Sequence, residues 1–436
     1  MASEGRQRRG LLGLTASVGV SGLGTRMTYL ALPWFVLTTT GSATKTGLVA
    51  FAEMAPLVAV GMLGGPFVDK LGARRVSVAT DLAAAVFLGL VPVLHSLHVV
   101  SLWLLCALVA CAGAARGGGN SARDVLVPGV SEQAGTPLER SSGYVDGANR
   151  LSTLIGLPLA GVLVAVISPL SVLGIDAVTF AASACLVALL VPGSADPPRQ
   201  LAATVEDAAR SELGYLKSLR EGFGYLVHDR LLMGIASMVL VTNFVDQAGG
   251  AVLFPYWAHQ IARSSIALGL IGGTFAFGAV TGNVLSTWLG PRLPRRLTYG
   301  VGFLVCGAPR FFLVAASPSV GVIAGLFFVF GLGAGAINPI LAAAEYERVP
   351  RPLQARVLGA VGATAWFGIP LGALAGGFTV TAIGLRGALI AAGALYGVMT
   401  LCPFVFPVWS QMNRGAIPSR PETVPEVAGE VDLQRG

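Results

Sequence analysis

Three ionisable residues, Arg26, Glu53 and Asp246, lie inside long apolar stretches of this 436-residue chain. A charged side chain near the centre of a membrane-spanning helix costs about 3 kcal/mol or more, so a residue kept there is expected to have a function. A buried carboxylate can take up and release a proton, and a neighbouring arginine favours its charged form. These residue types predict proton-coupled chemistry within a membrane.

Arg26 and Asp246 are 220 residues apart (246 − 26 = 220) and lie at matching depths in the first and seventh apolar segments. We interpret Asp246 as a protonatable coupling group and Arg26 as its charge partner, so that proton binding weakens the pair and shifts a conformational equilibrium. The alternative is a static ion pair that joins two helices. Glu53 is the second candidate proton carrier, with a polar contact in the outer half of its segment as the alternative.

The elements that must position these residues are long and apolar. The chain is 54% hydrophobic and 12% charged, with a mean hydropathy of +0.73. A helix crosses a bilayer with about 20 mostly apolar residues, and the apolar runs lack the alternation of strands. The sequence therefore predicts an all-α membrane protein with twelve spans, at 11–38, 45–67, 76–95, 99–119, 143–167, 170–192, 231–256, 265–289, 298–316, 319–343, 357–382 and 387–410.

The basic residues orient these spans. Most of the 29 lysines and arginines fall in the tails or in the loops on the side of the termini, whereas Lys45, Arg263 and Arg386 fall on the other side. Cytoplasmic loops are rich in lysine and arginine, so both termini are predicted to be cytoplasmic. The net charge of +7 then reflects topology, and no basic stripe with interleaved aromatics indicates a nucleic-acid partner.

A long polar interruption separates two groups of six spans. Within it, charges and leucines alternate at helical spacing from Val205 to Leu226, which predicts an amphipathic helix along the cytoplasmic face. The predicted units are a cytoplasmic tail over 1–10, a six-helix bundle over 11–192, a linker over 193–230, a second six-helix bundle over 231–410 and a polar tail, expected to be disordered, over 411–436.

The segment GGPFVDKLGARR, residues 64–75, is the densest charge cluster between two apolar segments. Its pattern of glycines, an acid and basic residues resembles the loop between helices 2 and 3 of the major facilitator superfamily. ALPWF at 31–35, ARDVLVP at 122–128 and IDAVTF at 175–180 resemble the enterobactin-exporter-like and macrolide-efflux-like branch of that superfamily. The resemblance implies a secondary transporter with two pseudo-symmetric six-helix bundles and a substrate held between them.

The resemblance also implies a conformational latch. Asp69 would accept hydrogen bonds from the amino end of span 11, near Arg356, and hold the halves together in the outward-facing state. Arg74 or Arg75 would pair with Asp124 at the end of span 4. The alternative is a basic loop that only sets topology. The predicted latch residues are Gly65, Asp69, Lys70, Gly72, Arg74, Arg75 and Asp124.

GLPLAG in span 5 recurs as GIPLGA in span 11, 212 residues later (368 − 156 = 212). It resembles the antiporter motif of the family, from which it departs by one inserted leucine and one alanine. The resemblance implies bent, closely packed helices that help to seal one side of the cavity; ordinary helix packing is the alternative. The residues are Gly156, Pro158, Gly161, Gly368, Pro370 and Gly372.

The substrate cavity is predicted to be wide and apolar, which suits an amphiphilic organic molecule. Some of its aromatic candidates could instead face lipid or form interface belts. The candidate lining residues are Trp34, Asn243, Phe244, Gln247, Phe254, Tyr256, Asn338 and Trp366.

These features predict a proton-coupled exporter of a drug-like, antibiotic-like or siderophore-like molecule. It is expected to use the proton-motive force without a cofactor or metal and to act as a monomer in the lipid bilayer of a bacterial cell membrane. The alternatives are a nutrient importer on the same fold and a polytopic protein that does not transport. A catalytic cluster and a phosphate-binding loop are not visible in the sequence, so an enzyme is not expected.

Overall fold

The computed structural model describes residues 2–196, 212–289 and 292–413. All regular elements in these ranges are helices, and they form twelve spans. Ten segments are long and apolar enough to cross a membrane, and one of them, Arg351–Val405, contains two spans. These ten segments therefore supply eleven spans, and the helix Ala2–Thr40 is the twelfth. The predicted all-α membrane fold is confirmed.

The first half contains spans 1 to 6. The loop between spans 2 and 3 holds the short helix Gly65–Leu71, and a 3₁₀ turn, Gly193–Ala195, follows span 6. The spans are Ala2–Thr40, Ala43–Leu63, Ala73–Ser96, Leu102–Gln133, Leu138–Val166 and Pro169–Leu190.

The second half begins after the linker helix Glu212–His228. Span 7 starts as the α-helix Arg230–Ala248 and then has π-helical turns at Gly249–Leu253 and Ala258–Ala262, around the α-helical turn Phe254–Trp257. Span 8 is Ser265–Leu289, span 9 joins Arg295–Cys306 to Ala308–Ala316, and span 10 is Val320–Arg348. Spans 11 and 12 lie within the helix Gln354–Val405. The 3₁₀ turn Arg351–Leu353 precedes this helix, and the 3₁₀ helix Pro407–Met412 follows it.

Side-chain caps and glycines set the helix boundaries. Ser42 and Ser101 accept hydrogen bonds from backbone N–H groups of the first turns of spans 2 and 4, and Asp229 does the same for span 7. Gly384, with φ of +73°, is the non-helical residue that separates span 11 from span 12. A side chain rarely adopts that conformation, so glycine permits the reversal.

Both ends of the chain are more helical than the sequence predicted. The span 1 helix reaches back to Ala2, into the predicted tail. At the other end, Trp409 and Met412 are buried in a 3₁₀ helix, so helical structure continues past the predicted boundary at 411. Residues 414–436, and the part of the predicted linker helix before 212, lie outside the described residues.

The linker helix packs on the second half. Leu226 is buried with Leu232 of span 7 and with Val357 and Ala360 of span 11. An added Cβ at Gly222 would lie 2.5 Å or less from the Arg356 carbonyl, so glycine permits this close approach. The helix therefore belongs physically to the second bundle.

Twelve passes place the first and last described residues, Ala2 and Asn413, at one end of the bundle, called here the terminal face. At the opposite face the two halves are in close contact. An added Cβ at Gly47 of span 2 would lie 2.6 Å from the Ala373 carbonyl of span 11, and one at Gly161 of span 5 would lie 2.7 Å from the Ser265 carbonyl of span 8. Thr44 and Thr381 share a 2.6 Å hydrogen bond across the first of these seams. The opposite face is closed.

At the terminal face the same helices separate. A cavity of about 830 Å³ lies between the end of span 2, at Met62 and Leu63, and the start of span 11, at Arg356 and Gly359. Trp366 in its wall is 48% exposed. The structure is therefore a conformation in which the space between the halves is open to the terminal face.

Candidate functional site

A central cavity of about 500 Å³ lies between the halves. Spans 1, 2, 4 and 5 form one wall, and spans 7 and 11 contribute Gln247, Trp366 and Ile369 to the other. Apolar and polar side chains share the lining, so the cavity is more polar than the sequence predicted; its polar members include Arg26, Arg116, Asn120, Arg123, Asp124 and Asn149. Cavities of this size and composition accommodate drug-sized organic molecules.

Tyr29 joins the two halves at the end of this cavity. Its hydroxyl donates a 3.2 Å hydrogen bond to Oε1 of Gln247. Tyr29 also lines two neighbouring cavities, one beside Glu53 and one beside Asp246. Sequence analysis did not identify Tyr29, although it lies one turn after Arg26 and could have been found by extending the helical face of Arg26.

Asp246 has a different partner from the one predicted. It forms an ion pair with Arg310 of span 9, in the wall of a cavity of about 300 Å³, and not with Arg26. The Arg310 guanidinium also lies 5.0 Å from the ring centre of Phe311 and 5.6 Å from that of Tyr396. Spans 1 and 7 do approach each other, but through Tyr29 and Gln247, so the prediction of an Arg26–Asp246 pair is wrong.

Glu53 pairs with Arg116 of span 4, and each side chain is only 6% exposed. An added Cβ at Gly113, one turn earlier in span 4, would collide with the Glu53 carbonyl, so this glycine allows the two helices to approach. The first half thus contains the Glu53–Arg116 pair beside the central region, and the second half contains the Asp246–Arg310 pair.

A second buried pair stabilises the first half. Arg123 donates to both carboxylate oxygens of Asp81 at 3.0 Å, and Ser183 donates to the same carboxylate at 2.7 Å. In span 6, Asp176 accepts a 2.5 Å hydrogen bond from Thr28 and one from Thr179. These contacts join spans 1, 3, 4 and 6 within one bundle, which favours a structural role.

Arg26 has no carboxylate within ion-pairing distance among the described residues. Its Nε atom is buried without a hydrogen-bond acceptor, and its side chain lines the central cavity. A Cβ added at Gly156 of span 5 would lie 2.8 Å from the Arg26 Cβ, so glycine at this position allows span 5 to approach Arg26. Arg26 therefore contributes an uncompensated positive charge to the cavity.

The other predicted cavity residues divide into two groups. Gln247, Phe254 and Trp366 line the cavities described above. The remaining five do not line them: Trp34 packs against His259, Asn243 donates to the Ala365 carbonyl, the Phe244 backbone contacts Gly372, Tyr256 packs on the core, and Asn338 is exposed outside the cavities.

The latch contacts are not formed in this conformation. Asp69 is exposed beside the open terminal face, and among the described residues it accepts no hydrogen bond from span 11. Arg74 donates its backbone N–H to Asp196 at 3.0 Å and its guanidinium to the Ala188 carbonyl. No ion pair joins Asp124 to Arg74 or to Arg75 in these residues, so that predicted pairing is absent here.

The two glycine–proline motifs have different neighbours. In span 5, Gly161 and Pro158 pack against Gly269 and Gly273 of span 8, in the seam between the halves. In span 11, Gly368 and Gly372 pack against Leu240 and Phe244 of span 7, within the second half, and Pro370 is buried. The first copy therefore packs across a closed seam at Pro158 and Gly161, whereas the second copy reaches a seam at its last residue, where the Ala373 carbonyl approaches Gly47 of span 2.

The fold and the cavity define a membrane transporter of two six-helix bundles around a central site. The family model of the Major Facilitator Superfamily matches residues 14–248 and 237–429, and the chain belongs to that superfamily.

Among curated proteins, the chain is 29% identical over 376 residues to the multidrug efflux pump Tap of Mycobacterium tuberculosis, covering 84% of this chain and 86% of Tap. It is 26% identical to Tap of Mycolicibacterium fortuitum, covering 85% and 89%. Among solved structures, the nucleoside transporter NupG is similar with a TM-score of 0.71 and 13% identity, covering 91% of this chain and 99% of NupG.

Proposed function

We propose that the chain exports amphiphilic, drug-like molecules in exchange for protons. Its relatives named as multidrug efflux pumps, which it matches over most of both lengths, support the substrate class. The central cavity supports the same class because apolar side chains such as Leu57, Trp366 and Ile369 lie there beside polar and charged ones, so an amphiphile can both bury apolar surface and bind its polar groups. The observation that carries the coupling proposal is the Asp246–Arg310 pair beside this cavity.

The terminal face is the cytoplasmic face in this proposal. The excess of basic residues in the loops on that side supports the assignment. In the conformation open to the cytoplasm, Asp246 is charged and paired with Arg310, and the cavity receives the substrate. In the conformation open to the outside, a proton neutralises Asp246 and the substrate leaves. The protein functions as a monomer in the bacterial cell membrane.

Arg310 is suited to this exchange. When Asp246 is neutral, the guanidinium keeps its contacts with Phe275, Phe311 and Tyr396, and cation–π contacts stabilise a desolvated cation by about 2 kcal/mol. The contact between spans 7 and 9 therefore weakens without expelling Arg310. Because span 7 holds the Tyr29–Gln247 bond to the first half, protonation at Asp246 reaches the interface between the halves.

The test uses proteoliposomes to which fluorescent amphiphiles of each charge type are added from outside: ethidium, 1-pyrenebutanol and 1-pyrenebutyrate. An imposed pH gradient should drive uptake of at least one dye by native protein, and an uncoupler should abolish it. Asp246→Asn should reduce gradient-driven uptake roughly a hundredfold while exchange without a gradient persists, because an amide cannot take up the proton.

The matched control is Asp146→Asn. Asp146 also pairs with an arginine, Arg150, but both are exposed, at 61% and 41%, and neither lines a cavity described above. This variant should transport normally. Uptake that resists the uncoupler, or full coupling in Asp246→Asn, would contradict proton exchange at this residue. Glu53→Gln, tested in parallel, assigns coupling to the Glu53–Arg116 pair if it alone loses the gradient dependence.

A further inference from the structure

We propose that Arg26 and Gln247 form an anion-binding subsite in the central cavity, so that preferred substrates are amphiphiles that carry a carboxylate or another oxyanion. The proposal rests on the transport function above and specifies the substrate class of the same cavity. The apolar body of the substrate lies against the wall near Leu57, Trp366 and Ile369.

Arg26, which is partly buried, differs from the buried arginines of the central region. Arg116, Arg123 and Arg310 each bind a carboxylate from a neighbouring span. Arg26 has none in the described chain, and its Nε lacks an acceptor. A buried charge without a partner is strongly unfavourable. Arg26 is therefore available to bind an anion that comes from outside the described chain.

Gln247 gives an independent indication of the same chemistry. Its Oε1 is occupied by the Tyr29 hydroxyl, whereas its Nε2 is buried without an acceptor. Gln247 and Arg26 lie in the lining of one cavity, on opposite halves of the protein. Two unsatisfied donors that share a cavity favour a ligand rich in acceptors, and charge-assisted bonds to an oxyanion are the strongest that arginine forms.

Asp124, a carboxylate in the wall of this cavity, does not occupy the subsite. Asp124 lines the same cavity but lies eight residues after Arg116 on span 4, about 12 Å closer to the terminal face. It forms no ion pair with Arg26 among the described residues. An anion that binds between Arg26 and Gln247 therefore has no side chain to displace.

The experiment compares two probes with the same aromatic body, 1-pyrenebutyrate and 1-pyrenebutanol. Their binding to full-length protein in phosphatidylcholine nanodiscs is measured by fluorescence. Native protein should bind the carboxylate at least about tenfold more tightly than the alcohol. Arg26→Gln should remove this preference and leave the alcohol affinity unchanged, Arg26→Lys should keep part of it, and the exposed Arg386→Gln should keep all of it.

Equal binding of the two probes to native protein, or an equal loss of both in Arg26→Gln, overturns the proposal. A third arm replaces part of the phosphatidylcholine with phosphatidylglycerol. An unchanged carboxylate preference supports a substrate anion; loss of the preference assigns the subsite to lipid phosphate and overturns the substrate proposal. Because binding is measured without a pH gradient, failure here is distinct from failure of proton-coupled export.

Discussion

At the scale of single residues, Glu53, Asp81 and Asp246 each pair with an arginine of another span, whereas Arg26 has no carboxylate partner among the described residues. Counting residues along a helix gives the depth of Arg26, Glu53 and Asp246 in the membrane, because each residue adds 1.5 Å. The rotation of each helix about its axis, which decides the partner, depends on packing against other spans. The sequence therefore identified Arg26, Glu53 and Asp246 as charges within spans, but not that Glu53 pairs with Arg116 and Asp246 with Arg310.

The Asp81–Arg123 pair should be important for stability and not for coupling. Asp81→Leu leaves Arg123 buried without its carboxylate, which should destabilise the protein by about 3–5 kcal/mol. The double variant Asp81→Leu/Arg123→Met should recover most of that loss, because it removes both charges. Thermal unfolding in detergent measures both. A single variant as stable as native protein would show that the pair contributes little.

At the scale of elements, glycines determine which helices meet across the two halves. The sequence predicted the twelve spans because apolar length alone specifies them. It did not identify Gly47, Gly269 or Gly377 as contact sites, because 58 glycines are spread through the chain and the close approach depends on the tertiary arrangement. The GLPLAG motif was the exception, since its Gly161 does lie in the closed seam.

The seam between spans 2 and 11 should open and close during transport. In a variant without native cysteines, Thr44→Cys and Thr381→Cys should form a disulfide on oxidation, since the two hydroxyls are 2.6 Å apart. The disulfide should abolish transport, and reduction should restore it. Thr44→Cys with Thr379→Cys is the control, because residues two apart on a helix face different directions. Unimpaired transport by the oxidised first pair would show that this seam does not open.

At the scale of the whole molecule, the structure shows one of the two conformations that alternating access requires. The opposite face is closed and the terminal face is open, so contacts specific to the other conformation are not seen. The predicted latch contact of Asp69 is one of the contacts that belong to the other conformation. Its residues could be predicted from sequence, whereas its geometry depends on a state that differs from this one by a movement of the halves.

Asp69→Asn should favour the conformation open to the terminal face. Cysteines placed at Leu63 and Gly359, on either side of the 830 Å³ gap, should react with each other only when that gap closes. Asp69→Asn should reduce the rate of this reaction severalfold, because an uncharged amide is a weaker acceptor at a helix amino end. Glu139→Gln, which changes another exposed acid at the same face, should not. Equal rates for all three proteins would exclude the latch.

The reversal at Gly384 has a mechanical consequence. Span 11 forms the seam with span 2, and a single non-helical residue connects it to span 12. Span 12 in turn holds span 9 near the terminal face, where Arg296 donates to the Pro403 and Phe404 carbonyls. A connection this short allows little movement of one span relative to the other. Spans 11, 12 and 9 should therefore move together as one rigid unit, so that a displacement at one membrane surface is transmitted to the other.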